Sequence, residues 1–134
     1  MEHKYEYNPL HRNGNPNKSQ WDVVNIGILD EEQIWNESSK RIDYICYGLY
    51  IPKDKPDYLG FPAKNSSSIL KKLFIAKFRG TQNGNIISWH GYPIDTTLNT
   101  YNRPSESDLI DWQNKKYIKA SLVSKILKGK KCFL

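Results

Sequence analysis

Cysteine is scarce in this chain: Cys46 and Cys132 are the only two in 134 residues. Cys46 sits inside an apolar run and Cys132 near the C-terminus, so both are read as reduced thiols in a reducing compartment rather than as a disulfide framework. No apolar run approaches the roughly 20 residues that a membrane helix needs. The opening "MEHKYEYNPLHRNGNPNKSQ" lacks the apolar stretch of a signal peptide. A cytoplasmic protein that does not engage a membrane is therefore expected. His3, His11, His90 and the two cysteines show no metal-ligand spacing, which argues against a zinc site. No glycine pattern marks a phosphate loop or dinucleotide site. The "SSS" at 66–68 lacks the surroundings of a serine nucleophile. The apolar neighbours of Cys46 oppose the lowered pKa that a reactive thiol requires. No cofactor is expected, and neither repeats nor low-complexity tracts are present.

What the chain does have is aromatic residues. They reach 13%, with four Trp and nine Tyr, although hydrophobic residues total only 38%. Disordered chains lack aromatics, so this composition predicts many loops around an aromatic core, in one domain of ordinary size. The net charge of +6 is unevenly placed. Residues 105–134 hold seven lysines against Glu106, Asp108 and Asp111, a net +4, and the remaining 104 residues contribute only +2. A basic end on a nearly neutral body suits an acidic partner: nucleic acid, an acidic protein or anionic lipid, of which nucleic acid (RNA or DNA) or an acidic protein is expected here.

Patterning predicts an α+β fold: a single antiparallel sheet of about four strands in the order β-α-β-β-β-α-α, helices covering its apolar face and a C-terminal helical hairpin. Residues 1–20 read as a polar arm or loop, 21–103 as the sheet body and 104–134 as the basic helix pair. "WDVVNIGIL" (21–29) is β-branched and apolar and reads as a strand. Asp30 and Gln33 form a capping-box pattern for a short helix over 31–41. "IDYICYGLYI" (42–51) reads as a central strand. The proline-bearing loop 52–68 is long enough to be functional or packed over the sheet.

"ILKKLFIAKFRG" (69–80) fits either a helix or a strand, and a strand over 72–79 is preferred because "GTQNGN" and "IISWHGYP" follow. Asn83-Gly84 between apolar segments is a hairpin signal. With those two as the loop, Phe78 faces Trp89, Lys77 faces His90, Arg79 faces Ser88 and Ile75 faces Tyr92. Alternation then sorts Phe74, Ala76, Phe78, Ile87 and Trp89 onto one face, and Lys77, Arg79, Ser88, His90 and Tyr92 onto the other. Near the C-terminus, Ser105 is a helix N-cap with Asp108 three residues on. Leu109, Trp112 and Tyr117 supply that helix's buried side. Ile118, Leu122, Val123, Ile126 and Leu127 line a second helix that ends at Gly129.

Three groups of residues carry candidate chemistry. The first is the polar hairpin face, Lys77, Arg79, His90 and Tyr92, to which Tyr44 and Tyr50 add by parity. Cations hold phosphates while rings stack on bases. The same residue types could cleave RNA, with His90 as general acid or base and Lys77 and Arg79 stabilising the charged phosphorane. The second is "DLIDWQNKKYIKASLVSKILKGK" (108–130), two short helices with a tight joint and lysines at 119, 125, 128, 130 and 131. It resembles a helix-turn-helix, and "SLVSKILKGK" resembles the recognition helix of lactose-repressor-type regulators. Where that family has a small residue in the first helix and a glycine in the turn, this chain has Gln113 and Tyr117. The third is the arm "HRNGN", whose His11 and Arg12 could bring a second histidine from a flexible segment.

The leading expectation is a small basic binding protein without enzymatic activity, its phosphate contacts coming from Lys77, Arg79, Lys125, Lys128 and Lys131, with Tyr92 and His90 near the bases. The alternatives are a small toxin-like, metal-independent ribonuclease centred on His90, and an inhibitor or immunity-type protein that sequesters an acidic partner protein.

Overall fold

The computed structural model of the chain describes residues 1–38, 42–98 and 100–131. Its centre is a curled four-stranded sheet in the order β1-β6-β5-β3, with a separate pair β2-β4 beside it. The strands are β1 (Glu2–Tyr5), β2 (Gln20–Trp21), β3 (Ile45–Leu49), β4 (Gly60–Phe61), β5 (Ile75–Asn83) and β6 (Ile86–Ile94). The helices are α1 (Ile28–Glu37), α2 (Glu106–Asn114) and α3 (Ala120–Leu127). The α+β content matches expectation, but the sheet is mixed, because β1 runs parallel to β6.

The run 21–29 departs most from the predicted strand. Only Trp21 extends β2; the Asp22 carboxylate then accepts from Val24 N and Asn25 Nδ2, and Ile26 N donates to Asp22 O. That local turn leaves Val24 87% exposed and starts α1 three residues earlier than predicted. Gly27 is the N-cap, and its amide donates to the Asp30 carboxylate at 2.8 Å. Asp30 is thus the acid of the first turn rather than the cap itself. Residues 39–41 and Cys132, which also carried expectations, lie outside the described residues.

β3 is an edge strand and not a central one. It starts at Ile45 because Asp43 and Tyr44 adopt positive φ and break the extended run. Tyr44 and Tyr50 therefore fall outside it. β5 is a strand, and its hairpin with β6 turns at Gly84-Asn85, one residue beyond the expected loop: Asn83 pairs with Ile86. Of the two turn residues only Gly84 has positive φ (63°), the requirement of a type II′ turn, whereas the type I′ turn expected from Asn-Gly needs it at both. The pairing moves by two positions, so Lys77 faces Tyr92, Arg79 faces His90, Phe78 faces Gly91 and Ile75 faces Ile94. A two-residue shift preserves the sorting of faces.

Helices cover both faces, where one covered face was expected. One face packs Phe78, Ala76, Ile87 and Trp89 against Ile34 and Trp35 of α1. At one end of the other face, Leu49, Ile75 and Ile94 meet Leu109 and Trp112 of α2 and Ile126 of α3. α2 is capped as predicted, Ser105 Oγ accepting from Asp108 N at 3.2 Å. α3 ends in a Schellman motif: Gly129 (φ 67°) donates to Ile126 O and Lys130 N to Lys125 O. Between α2 and α3 the left-handed position falls on Lys116 (φ 65°). Among the described residues no helix is long and apolar enough to cross a membrane.

Candidate functional site

α2 and α3 cover only one end of the second face. The other end, bearing Arg79, His90 and Tyr92, floors an open cleft of about 640 Å³. Its second side comes from the N-terminal arm, through His11, Lys18 and Ser19, and its third from Pro62, Ala63 and Ser66 of the long loop.

The arm is an ordered loop built around one side chain. Gln20 Nε2 donates to Leu10 O at 2.8 Å, with further contacts to Lys18 O and Asn15 O, and Gln20 Oε1 accepts from Gly14 N. Before it, Asn8 Oδ1 accepts from Leu10 N and caps a single 3-10 turn, Pro9–His11. Three contacts then fix His11 over β6. Its ring stacks on Tyr92, centroids 5.1 Å apart and planes 16° from parallel. Its Nδ1 lies 2.8 Å from Ser19 O. Ser19 Oγ donates to Pro93 O at 2.7 Å, tying the arm to the strand below.

A carbonyl oxygen only accepts, so Nδ1 of His11 carries the hydrogen and Nε2 the lone pair. The Ser19 hydroxyl hydrogen is committed to Pro93 O, so Ser19 Oγ, 3.4 Å from Nδ1, is an acceptor there as well. Burial lowers the His11 pKa below its ordinary value, and the charges of Lys18 and His90 push the same way, against the bond to Ser19 O. His11 is thus held as the neutral imidazole near neutral pH.

A buried ion pair anchors the arm from its other side. Glu31 of α1, 0% exposed, accepts from Arg12 Nε at 2.8 Å and from the Tyr5 hydroxyl. Burial pushes the Glu31 carboxyl above its ordinary pKa, while Tyr5 and Arg12 pull it down. Arg12, adjacent to His11, therefore faces the core instead of the cleft.

Lys77 does not reach the cleft either. It is 5% exposed, and its ammonium donates to Tyr101 O at 2.6 Å. Burial first, and then Arg79, lowers its pKa. The expectation that Lys77 faces a ligand meets a lysine committed to holding the segment beyond β6. Arg79 is exposed and makes no ion pair among the described residues. Lys125, Lys128 and Lys131 are exposed on or just beyond α3 and are absent from the cleft wall. Tyr44 donates to Gln82 Oε1, and Tyr50 packs against the first core, so neither joins the cluster. His3 accepts from Trp89 Nε1 at 2.9 Å on the opposite face.

Among the described residues the one acid lining the cleft, Asp95, is buried and engaged by Ser68 Oγ, Thr97 N and Thr97 Oγ1. The cleft thus presents two fixed cations, Arg79 and Lys18, two imidazoles and a phenol against one internally satisfied carboxylate. No group of three or more His, Cys, Asp or Glu that could hold a metal occurs among the described residues.

No protein-family model matches the chain, and neither does any curated protein or solved structure.

Proposed function

We propose that the protein binds single-stranded nucleic acid, with the phosphodiester backbone lying in the cleft between the arm and the β5–β6 hairpin. The supporting observation is the joint placement of Arg79, Lys18, His11, His90 and Tyr92 around one concavity. Its volume of about 640 Å³ is in the range of small-ligand pockets and suits a nucleotide or two. Arg79 presents a planar fork of donors to a phosphate, and the half-buried Tyr92 supplies a rigid ring edge beside it. In this reading Lys125, Lys128 and Lys131 add to the positive field without touching the nucleotides in the cleft.

Binding is expected to weaken steeply with salt, because each neutralised phosphate releases condensed counterions. Fluorescence anisotropy with a labelled single-stranded oligonucleotide of mixed sequence, between about 50 and 200 mM salt, measures this slope. Arg79→Ala is expected to lower the affinity and to reduce the slope by about 0.7, the increment for one single-strand phosphate contact. Absence of binding at low salt, or an Arg79→Ala slope equal to that of the parent, contradicts the proposal.

A further inference from the structure

We infer that the cleft also cleaves RNA, with His11 as general base and His90 as general acid, an activity that rests on the nucleic-acid reading above. Two imidazoles from sequence positions 79 residues apart share one cavity. His11 sits on the Tyr92 ring, and His90 lies two residues back along β6 on the same face. Same-face neighbours on a strand are about 7 Å apart, which is the step along β6 from His90 to Tyr92, the residue whose ring carries His11.

Each group is prepared differently. The bond to Ser19 O fixes the His11 tautomer, and Nε2 makes no hydrogen bond among the described residues. Its lone pair is therefore available to accept a proton. Arg79, paired across the ladder with His90, is the cation next to the acid and makes no ion pair with a carboxylate among the described residues.

The step balances without a co-reactant. His11 Nε2 takes the proton of a ribose 2′-hydroxyl as that oxygen attacks phosphorus and the 2′-O–P bond forms. The P–O5′ bond breaks, and the electron pair leaving on O5′ takes up a proton from the protonated imidazole of His90. Arg79 faces the charge that gathers on the non-bridging oxygens. The products are a 2′,3′-cyclic phosphate and a 5′-hydroxyl. Nothing is oxidised or reduced, and the substrate must be RNA, since the nucleophile is the 2′-hydroxyl.

The test is incubation of the full chain with a mixed-sequence oligoribonucleotide in EDTA, with products identified by mass spectrometry. A 2′-O-methyl oligonucleotide of the same sequence is run alongside, and binding of both is measured by anisotropy. Cleavage to cyclic-phosphate ends is expected for the oligoribonucleotide alone. His11→Ala and His90→Ala are each expected to slow it by about 10²–10⁴-fold at saturating RNA, the usual contribution of one general acid or base. His11→Asn keeps a donor for Ser19 O and serves where His11→Ala loosens the arm; near-ultraviolet circular dichroism reports whether each variant is folded. Binding without cleavage overturns the catalytic assignment and leaves the binding reading standing. Absence of binding overturns both. Cleavage that persists undiminished in folded His11 and His90 variants, or that consumes the 2′-O-methyl strand, overturns the mechanism.

Discussion

Arg12→Ala is expected to cost about 3–5 kcal/mol of folding stability in urea denaturation, the usual loss when one partner of a buried ion pair is removed. Glu31 is fully buried and has no other cationic partner among the ion pairs of the described residues. Without the guanidinium, its carboxylate either stays charged in the core or takes up a proton. The loss therefore depends on pH. In the variant Glu31 folds best protonated, its folded pKa standing above the unfolded one, so the native state holds more protons and stability falls as pH rises from about 4 toward 7. The deficit relative to the parent is smallest on the acid side. Arg12→Ala combined with Glu31→Leu removes the orphaned charge and is expected to recover part of the loss. A single variant within about 1 kcal/mol of the parent would show that the pair does not anchor the arm.

Gly91→Ala is the second large effect, at about 1–3 kcal/mol or more. A methyl group there would lie far inside van der Waals contact of Phe78 Cδ1 and Cε1, with Cγ at 3.1 Å. The Phe78 ring cannot retreat: Tyr5 meets it edge-on at 5.9 Å, Trp21 lies at 6.5 Å, and Gly48 closes the far side. Phe78→Ala alone is expected to cost about 3–5 kcal/mol through the cavity it leaves. The two changes are not additive, because the new methyl group enters the space the ring vacated. Gly91→Ala should thus cost much less in the Phe78→Ala background than alone, a coupling that a double-mutant cycle reads directly. Additive losses would mean that Phe78 and Gly91 are not packed across the ladder as described.

The half of the cleft on the hairpin was legible in the sequence, because strand alternation has a period of two that survives a register error. Arg79, His90 and Tyr92 fell on one face and Trp89 on the other, even though the turn was placed one residue early. Ser105 and Gly129 marked their helix ends because cap chemistry is local. The half on the arm was not legible. β1 is short and polar along most of its length, so it carries no hydrophobic period to signal its parallel pairing with β6 or the His3–Trp89 contact that accompanies it. His11 reaches Tyr92 through contacts spanning more than seventy residues, with no spacing to signal them. Lys18 and Ser19 enter the site by the same route. The β-branched Val23 and Val24 suggested a strand where the Asp22 carboxylate builds a turn. The strand reading of 69–80 also placed Lys77 at a surface that Tyr101 O in fact closes over.

The chain has only three histidines, and they divide between the two faces, so their ring protons in NMR provide the most direct test of where ligand binds. On titration with a non-cleavable 2′-O-methyl oligonucleotide at low salt, the resonances of His11 and His90 are expected to move together with the bound fraction. Those of His3, bonded to Trp89 on the opposite face, should stay in place. Shifts confined to His3, or saturation with none of the three moving, would contradict the assignment of the cleft as the binding site.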